Sequence, residues 1–250
     1  MTGPSMTGPS MTATATTAIQ MPTNSTTVIK IGGRAQSDPR LAQAIAARWR
    51  EAPSALVIVH GGGDEVSALQ RAAGVEPRFV NGRRVTAPED IDRLRMALSG
   101  LANKRLVAAL VAVGADALGL SGEDAALLSA VVAEDGALGA VGSVRAVRVT
   151  VLRHLLAAGY LPVVSPLASG LNVNGDDAAS AIAVALGADE LLFVSDVPGV
   201  LPGGVTGGMH AKMAAALSAA EAGVGRVRIG DLTMLANDDA GTAVVPEVLA

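Results

Sequence analysis

Two lysines, one aspartate and two runs of glycine are the residues of this chain whose types and places could do chemistry. Lys30 falls inside VIKIGG, a run that reads as a strand buried on both faces. An ammonium buried without a partner is costly, so Lys30 requires an anion. Lys212 falls near the start of a helix, in GGMHAKM. A cation there opposes the helix dipole, which points to a negative group bound nearby. Taken alone, Lys212 reads more readily as a solvated helix lysine. Asp176, in NVNGDDAAS, opens another helix, as a plain N-cap or as the anion that holds both lysines. The glycines follow strands: Gly32 and Gly33 end VIKIGG, and Gly61, Gly62 and Gly63 end VIVHGGG. With no side chain in the way, their amides can approach an anion, and the helix that follows adds a favourable dipole. The same glycines would also serve a tight strand-to-helix turn. Neither run fits GxGxxG or the P-loop, which argues against a Rossmann dinucleotide site or a Walker-type site.

These groups need elements to hold them. TTVIKI, ALVIVH, ALGLS, YLPVVSPL, ELLFVSD, GRVRIG and GTAVV read as strands. Between them lie Ala-rich helical stretches: DPRLAQAIAARWREA, with Asp38 as N-cap and Pro39 in the first turn; DEVSALQRAAG, stopped by Gly74; GDDAASAIAVALGA; and GGMHAKMAAALSAAEAG. A long helical run over residues 88–114 is expected to break near Ser99-Gly100. Such alternation predicts an α/β fold with a parallel sheet covered on both faces. Ligands in such sheets sit at the carboxyl ends of the strands, where both glycine runs lie.

Composition excludes several classes. Half of the 250 residues are hydrophobic and only 2% aromatic, so the core must be Ala, Val and Leu. The net charge is −4 with no basic block, which disfavours nucleic acid as a partner. There is no cysteine, hence no disulfide and no thiolate metal site, and His60, His154 and His210 show no metal-ligand spacing. No apolar run is long enough to span a membrane. Residues 1–26 repeat MTGPS and carry no charge, and they read as a disordered extension without signal-peptide character. A cytoplasmic protein is expected.

VIKIGG, LVIVHGGGDEV, NGRRVTAPEDI, GYLPVVSPL, LNVNGDDAAS, LGADELLFVSDVPGVL and GGMHAKM, in this order, resemble the blocks of the amino acid kinase family. The resemblance implies a three-layer αβα sandwich around a mainly parallel open sheet, a single domain over 27–250. Its N-terminal half would hold an acyl amino acid and its C-terminal half ATP with Mg²⁺, the metal held mainly through the phosphates. The activity implied is phosphorylation of the side-chain carboxylate of N-acetyl-L-glutamate, in arginine biosynthesis. By the same resemblance Lys30 and Lys212 would stabilise the transferring phosphoryl group, with Asp176 orienting them. Gly62, Gly63, Arg84 and Asn172 would bind the acyl amino acid, Arg84 as a clamp on its α-carboxylate. Gly32, Gly33, Asp196, Val197, Pro198, Gly199, Val200 and Leu201 would bind nucleotide. A homodimer is implied. The N-terminal helix that interlaces arginine-sensitive hexamers in some members has no counterpart in an extension containing Pro4, Pro9 and Pro22.

The chain also departs from the family pattern. Between DVPGVL and GGMHAKM only PGGVTG remains where a short strand and a helix are usual, and RIGDLTMLANDDAGT looks abbreviated. A kinase of another N-acylated amino acid, and a non-catalytic amino-acid-binding or regulatory protein on the same fold, therefore stay open.

Overall fold

A computed structural model describes residues 25–200 and 208–246. β1 (Thr27–Ile31), α1 (Leu41–Glu51), β2 (Leu56–His60) and α2 (Gly63–Ala72) come first. A hairpin follows, β3 (Phe79–Val80) and β4 (Arg83–Arg84). It turns on Asn81 and Gly82, both at positive φ, the backbone that an Asn-Gly turn supplies. α3 (Ile91–Leu94) runs through a π-helical segment (Arg95–Ala102) into α4 (Asn103–Ala112). Then come β5 (Ala117–Ser121), β6 (Leu128–Val132), β7 (Val141–Val147), α5 (Thr150–Ala157), β8 (Leu161–Ser165), β9 (Leu167–Ala168) and β10 (Leu171–Val173). α6 (Gly175–Leu186), β11 (Glu190–Val194), α7 (Gly208–Glu221), β12 (Arg226–Gly230) and β13 (Thr242–Val244) close the order.

The central sheet runs β13-β12-β11-β1-β2-β8-β5 and is parallel except for β13. Its strands are apolar on both faces, as a sheet covered on both sides requires. Ile29, Ile31, Ile58, Val163 and Leu192 meet α1 and α4 on one face. Val28, Val57, Val59, Leu191 and Phe193 meet α5, α6 and α7 on the other. These are the three layers that the sequence predicts. α6 and α7 meet through alanines, Ala179 and Ala183 against Ala215, Ala216 and Ala219. Small side chains let the two helices approach closely, and Ser180 Oγ donates across the gap to Ala215 O at 2.7 Å.

Several local expectations are corrected. Asp38 does not cap α1; it accepts from Arg40 N at 2.8 Å and grips the Arg40 guanidinium, so the helix starts later, at Leu41. The run predicted to break at Ser99-Gly100 stays helical and widens instead. Its π-helical turns are pinned from outside, Ser99 Oγ to Ser165 Oγ at 2.7 Å, so Gly100 does not end the helix. Of a second sheet, β6-β7-β10-β9, only Leu167 of β9 falls within a predicted strand. Residues 1–24 of the expected extension, Leu201 and the PGGVTG stretch lie outside the described residues. No helix among the described residues is long and apolar enough to cross a membrane.

One charged cluster holds the β11–β12 end of the sheet. Buried Arg228 pairs with Glu190 at 2.9 Å and donates Nη1 to the carbonyls of Asn237, Asp238 and Ala240. Arg48 meets the same glutamate at 2.9 Å. Thr242, just beyond that loop, accepts from Val200 N at 3.0 Å. Glu190→Ala leaves Arg228 charged and buried, with only the exposed Asp238 carboxylate, 3.5 Å away, as a counter-ion. It is expected to cost roughly 3–5 kcal/mol, read as a lower urea midpoint, whereas Glu51→Ala on the surface should change little.

Candidate active site

The carboxyl edge of the central sheet brings the predicted residues together. Lys30 sits one residue before the end of β1, between Val59 and Phe193 of the neighbouring strands, and points to the α6–α7 face. Its Nζ lies 2.7 Å from Asp176 Oδ1. Lys212 Nζ reaches the same oxygen at 3.0 Å and lies over the Phe193 ring, 5.4 Å from its centre. All three charged groups are buried. Asp176 is not the N-cap of α6. That position belongs to Asn174, whose Oδ1 accepts from the amides of Asp176 and Asp177. The Asp176 carboxylate is thereby left free for the lysines.

Two cations on one anion leave a surplus positive charge. Burial raises the pKa of Asp176, but Lys30 and Lys212 together outweigh it and the carboxyl lies below its ordinary value. Lys212 feels the opposite balance. Burial and then Lys30 depress it to about 8, against the pull of the one carboxylate. The direction at Asp176 follows from two ammoniums on one carboxylate, and that at Lys212 follows first from burial and then from the second ammonium.

In front of Lys30 opens a cavity of about 220 Å³. Gly33, Gly61, Gly62 and Gly63 line one side, and the two glycine runs abut, since β1 and β2 are paired neighbours. The Gly61 amide is spent on Ile31 O at 2.9 Å. Those of Gly33, Gly62 and Gly63 have no hydrogen-bond partner among the described residues, and the last opens α2. They form an anion-seeking edge. Gly62 is there for space: a Cβ on it would lie 2.6 Å from Leu98 Cδ2 of the π-helical segment. Gly32 is off the wall; its amide goes to Val194 O at 2.8 Å.

The hairpin and the second sheet supply the far wall. Arg84 is buried, with Nη2 donating to Gly63 O and Ser67 Oγ at 2.8 Å each and Nη1 to Gln70 Oε1. The guanidinium lies 4.7 Å from the centre of the Phe79 ring. All these partners are neutral. Gln70 in turn donates to Asp90 at 2.8 Å, and Asp90 is paired with Arg93. Arg83 lines the same cavity but is ion-paired to Asp177 at 2.8 Å. Burial raises the Asp177 pKa, with Arg83 pulling the other way. Among the described residues Arg84 is thus the cavity arginine with no carboxylate partner, the state that suits capture of a ligand carboxylate. Asn172 lines the cavity from β10, with Nδ2 donating to Thr86 Oγ1 at 2.9 Å.

Asp196, Val197, Pro198, Gly199 and Val200 follow β11 at the same edge, beyond Lys30, and do not line this cavity. Asp196 meets exposed Arg34 at 3.2 Å, and Gly199 packs on Thr242, whose Oγ1 a Cβ at residue 199 would approach to 2.6 Å.

Sequence reasoning missed Asn174, Gln70, Asp90 and the apolar wall of Val66, Leu94 and Leu98. Asn174 carries a signal, an Asn two residues before an aspartate at a helix start. Gln70 and Asp90 carry none, because their meeting depends on how α2 packs against the helix that follows the hairpin.

Comparison with known proteins identifies the family and the fold. The model of the amino acid kinase family matches residues 25–204. Acetylglutamate kinase of Roseiflexus sp. (strain RS-1) is 44% identical over 251 residues, covering 89% of this chain and 94% of the relative. The structure of smu.665 from Streptococcus mutans UA159 superposes with a TM-score of 0.80 at 31% identity, covering 88% of this chain and 98% of that one. Carbamate kinase from Giardia lamblia bound to AMP-PNP shares the fold, with a TM-score of 0.67 at 17% identity, covering 90% and 99%.

His60 closes β2 directly before the glycines and is fully buried. Burial chiefly depresses its pKa to about 4, with Lys30 and Lys104 adding to this against the Gly61 carbonyl. The folded chain therefore keeps His60 neutral between about pH 4 and 6.5 while the unfolded chain protonates it. Stability attributable to this residue is full above pH 6.5 and falls as the pH drops toward 4, by about 3 kcal/mol in all. Denaturant titrations from pH 7 to 4 should show wild type losing more stability than His60→Asn, with close to one extra proton taken up on unfolding. Parallel curves would contradict this.

Proposed function

The chain belongs to the amino acid kinase family, and we propose that it transfers the γ-phosphoryl group of ATP to the side-chain carboxylate of N-acetyl-L-glutamate, a step of arginine biosynthesis. The observation that carries this reading is the pair of buried lysines sharing one oxygen of Asp176, set beside a glycine-lined cavity that also holds Arg84. The Roseiflexus relative named acetylglutamate kinase supports the substrate, and the AMP-PNP in the Giardia enzyme supports a nucleotide on this fold.

The chemistry suits these groups. A carboxylate that attacks phosphorus carries no proton, so no general base is needed. What must be supplied is in-line placement of two anions and neutralisation of charge as it shifts between them. Lys30 and Lys212 face the transferring group with one positive charge beyond what Asp176 cancels. The free amides of Gly62 and Gly63 serve the oxygens where the two substrates meet. Arg84 clamps the α-carboxylate, with Asn172 beside it, and so aims the side-chain carboxylate at the lysines. A phosphate near Lys212 favours its charged form, countering the burial that depresses it. The one carboxylate at the triad is already shared by both lysines. The donor set therefore fits Mg²⁺ carried on the phosphates, where it supplies further charge neutralisation. The strand end from Asp196 to Val200, with Gly33, lies toward the nucleotide.

The 251 aligned positions of the Roseiflexus relative span only 89% of this 250-residue chain, so that relative has more residues over the same ground. The shortness of the sequence between DVPGVL and GGMHAKM favours a second reading, an amino-acid-binding protein with weakened nucleotide binding. A coupled ADP-release assay over N-acetyl-L-glutamate, N-acetyl-aminoadipate, other acylated glutamates and free glutamate separates the two. Turnover highest on N-acetyl-L-glutamate is expected. Tight binding of it by calorimetry without ADP release would put the second reading first.

Lys30→Ala and Lys212→Ala should each lower kcat by roughly 10², about 2.7 kcal/mol, with little change in KM for the acyl amino acid. Near-normal turnover of Lys212→Ala would remove that residue from the mechanism. Arg84 holds a part of the substrate that does not react, so its loss acts on binding. Arg84→Ala should raise KM for the acyl amino acid roughly 30- to 1,000-fold, about 2–4 kcal/mol, with KM for ATP nearly unchanged. Arg84→Lys should recover only part, having charge without the fork. Arg83→Ala, which breaks the pair with Asp177, should shift KM far less; the reverse order would assign the clamp to Arg83.

A further inference from the structure

We infer that His60 is a positioning residue: its Nδ1–H holds the Gly61 carbonyl, and through that peptide plane aims the Gly62 amide into the cavity. The inference rests on the phosphoryl-transfer reading above for its consequence in turnover, but its geometry stands on the hydrogen bonds alone.

The two ring nitrogens of His60 have different partners. Nδ1 lies 2.6 Å from Gly61 O, and Nε2 lies 3.0 Å from Nδ2 of Asn103. A carbonyl can only accept, so Nδ1 carries the proton. An amide NH2 can only donate, so Nε2 is the acceptor. The orientation of the Asn103 amide is set by two other neighbours. Its Nδ2 also donates to Val163 O at 2.9 Å, and its Oδ1 accepts from Lys104 Nζ at 3.2 Å. His60 and Asn103 are both fully buried, so no water competes for these contacts. The pair therefore fixes one neutral tautomer of the imidazole.

The direction of the pull matters. Ile58 packs with the α1–α4 layer, and His60, two residues on, faces the same way, toward Asn103 at the start of α4. Lys30 faces the opposite layer, where Asp176 lies. In a trans peptide the C=O and the following N–H point in opposite directions. Drawing Gly61 O toward α4 thus turns the Gly62 N–H toward the side of Lys30. That amide has no other partner among the described residues. Glycine has no side chain to resist rotation of this plane, so without an anchor the Gly61–Gly62 peptide could flip at little cost. His60 is the anchor, and it touches neither substrate site directly.

Three replacements separate the two bonds. His60→Asn keeps a donor near the place of Nδ1, His60→Gln keeps an acceptor near the place of Nε2, and His60→Leu keeps neither. For Gln and Leu, kcat on N-acetyl-L-glutamate and ATP should fall at least tenfold with both KM values within about threefold. His60→Asn should regain most of that loss. Amide hydrogen exchange over residues 61–66, followed by mass spectrometry on the folded protein, should quicken at least tenfold in Gln and Leu but not in Asn. Exchange over 56–59 should stay unchanged in all three. If Leu does not fold, the Asn and Gln pair decides. Gln with wild-type exchange over 61–66, or Asn losing as much as Gln, would overturn the inference. Should the wild type itself release no ADP with any acylated amino acid, the phosphoryl-transfer reading fails, while the exchange pattern still tests the anchor.

Discussion

Two ammonium groups share one carboxylate oxygen behind the carboxyl edge of the sheet, and much of the architecture exists to make that possible. Burying an ion is costly, and burying three with unequal signs leaves a charge that only an incoming anion can offset. The cluster forms because three elements converge. β1 supplies Lys30 from within the sheet, α6 supplies Asp176 from its first turn, and α7 brings Lys212 to within 3.0 Å of the same oxygen. The convergence of α6 and α7 depends on alanine at the contact, since larger side chains would hold the helices apart. The scarcity of aromatic residues, so visible in the composition, has this structural counterpart. Phe193, an aromatic residue buried in this layer, lies under the Lys212 ammonium.

The glycine run after β2 lies between two polar anchors on opposite faces of the sheet. On one side is the lysine–aspartate cluster; on the other, His60 and Asn103 are joined by bonds that leave the imidazole neutral. The π-helical segment completes this second side. Leu98 and Ala102 press on Gly62, and Ser99 is tied to Ser165 at the end of β8. A wider turn of helix at this place has a physical use, because it keeps the helix continuous while it follows the sheet edge. Arg84 reaches the cavity from the hairpin, and its fork is already held by Ser67, Gln70 and the Gly63 carbonyl. A guanidinium so preorganised loses little freedom when a carboxylate arrives.

What the sequence by itself determined is local or periodic. Apolar runs closed by glycine announced the parallel strands and their ligand-facing ends. Lys30 within such a run demanded an anion. Ordered blocks over most of the chain carried the family. What only the tertiary structure decided depends on contacts between elements far apart in the chain. Asp176 and Lys30 are 146 residues apart, and no spacing rule joins them; the crossing of α6 over β1 does. Arg83 and Arg84 are indistinguishable as neighbours in a basic pair. The alternation of a strand sends one to Asp177 and the other to the buried acceptors. The second sheet escaped notice because β6, β7 and β10 are half exposed, with polar and small residues interleaved, and so lack the continuous apolar signature of the central strands, while buried β9 is only two residues long. The role of His60 was likewise hidden, since a histidine at a strand end acquires meaning only when Asn103, brought up by the packing of α4, selects its tautomer.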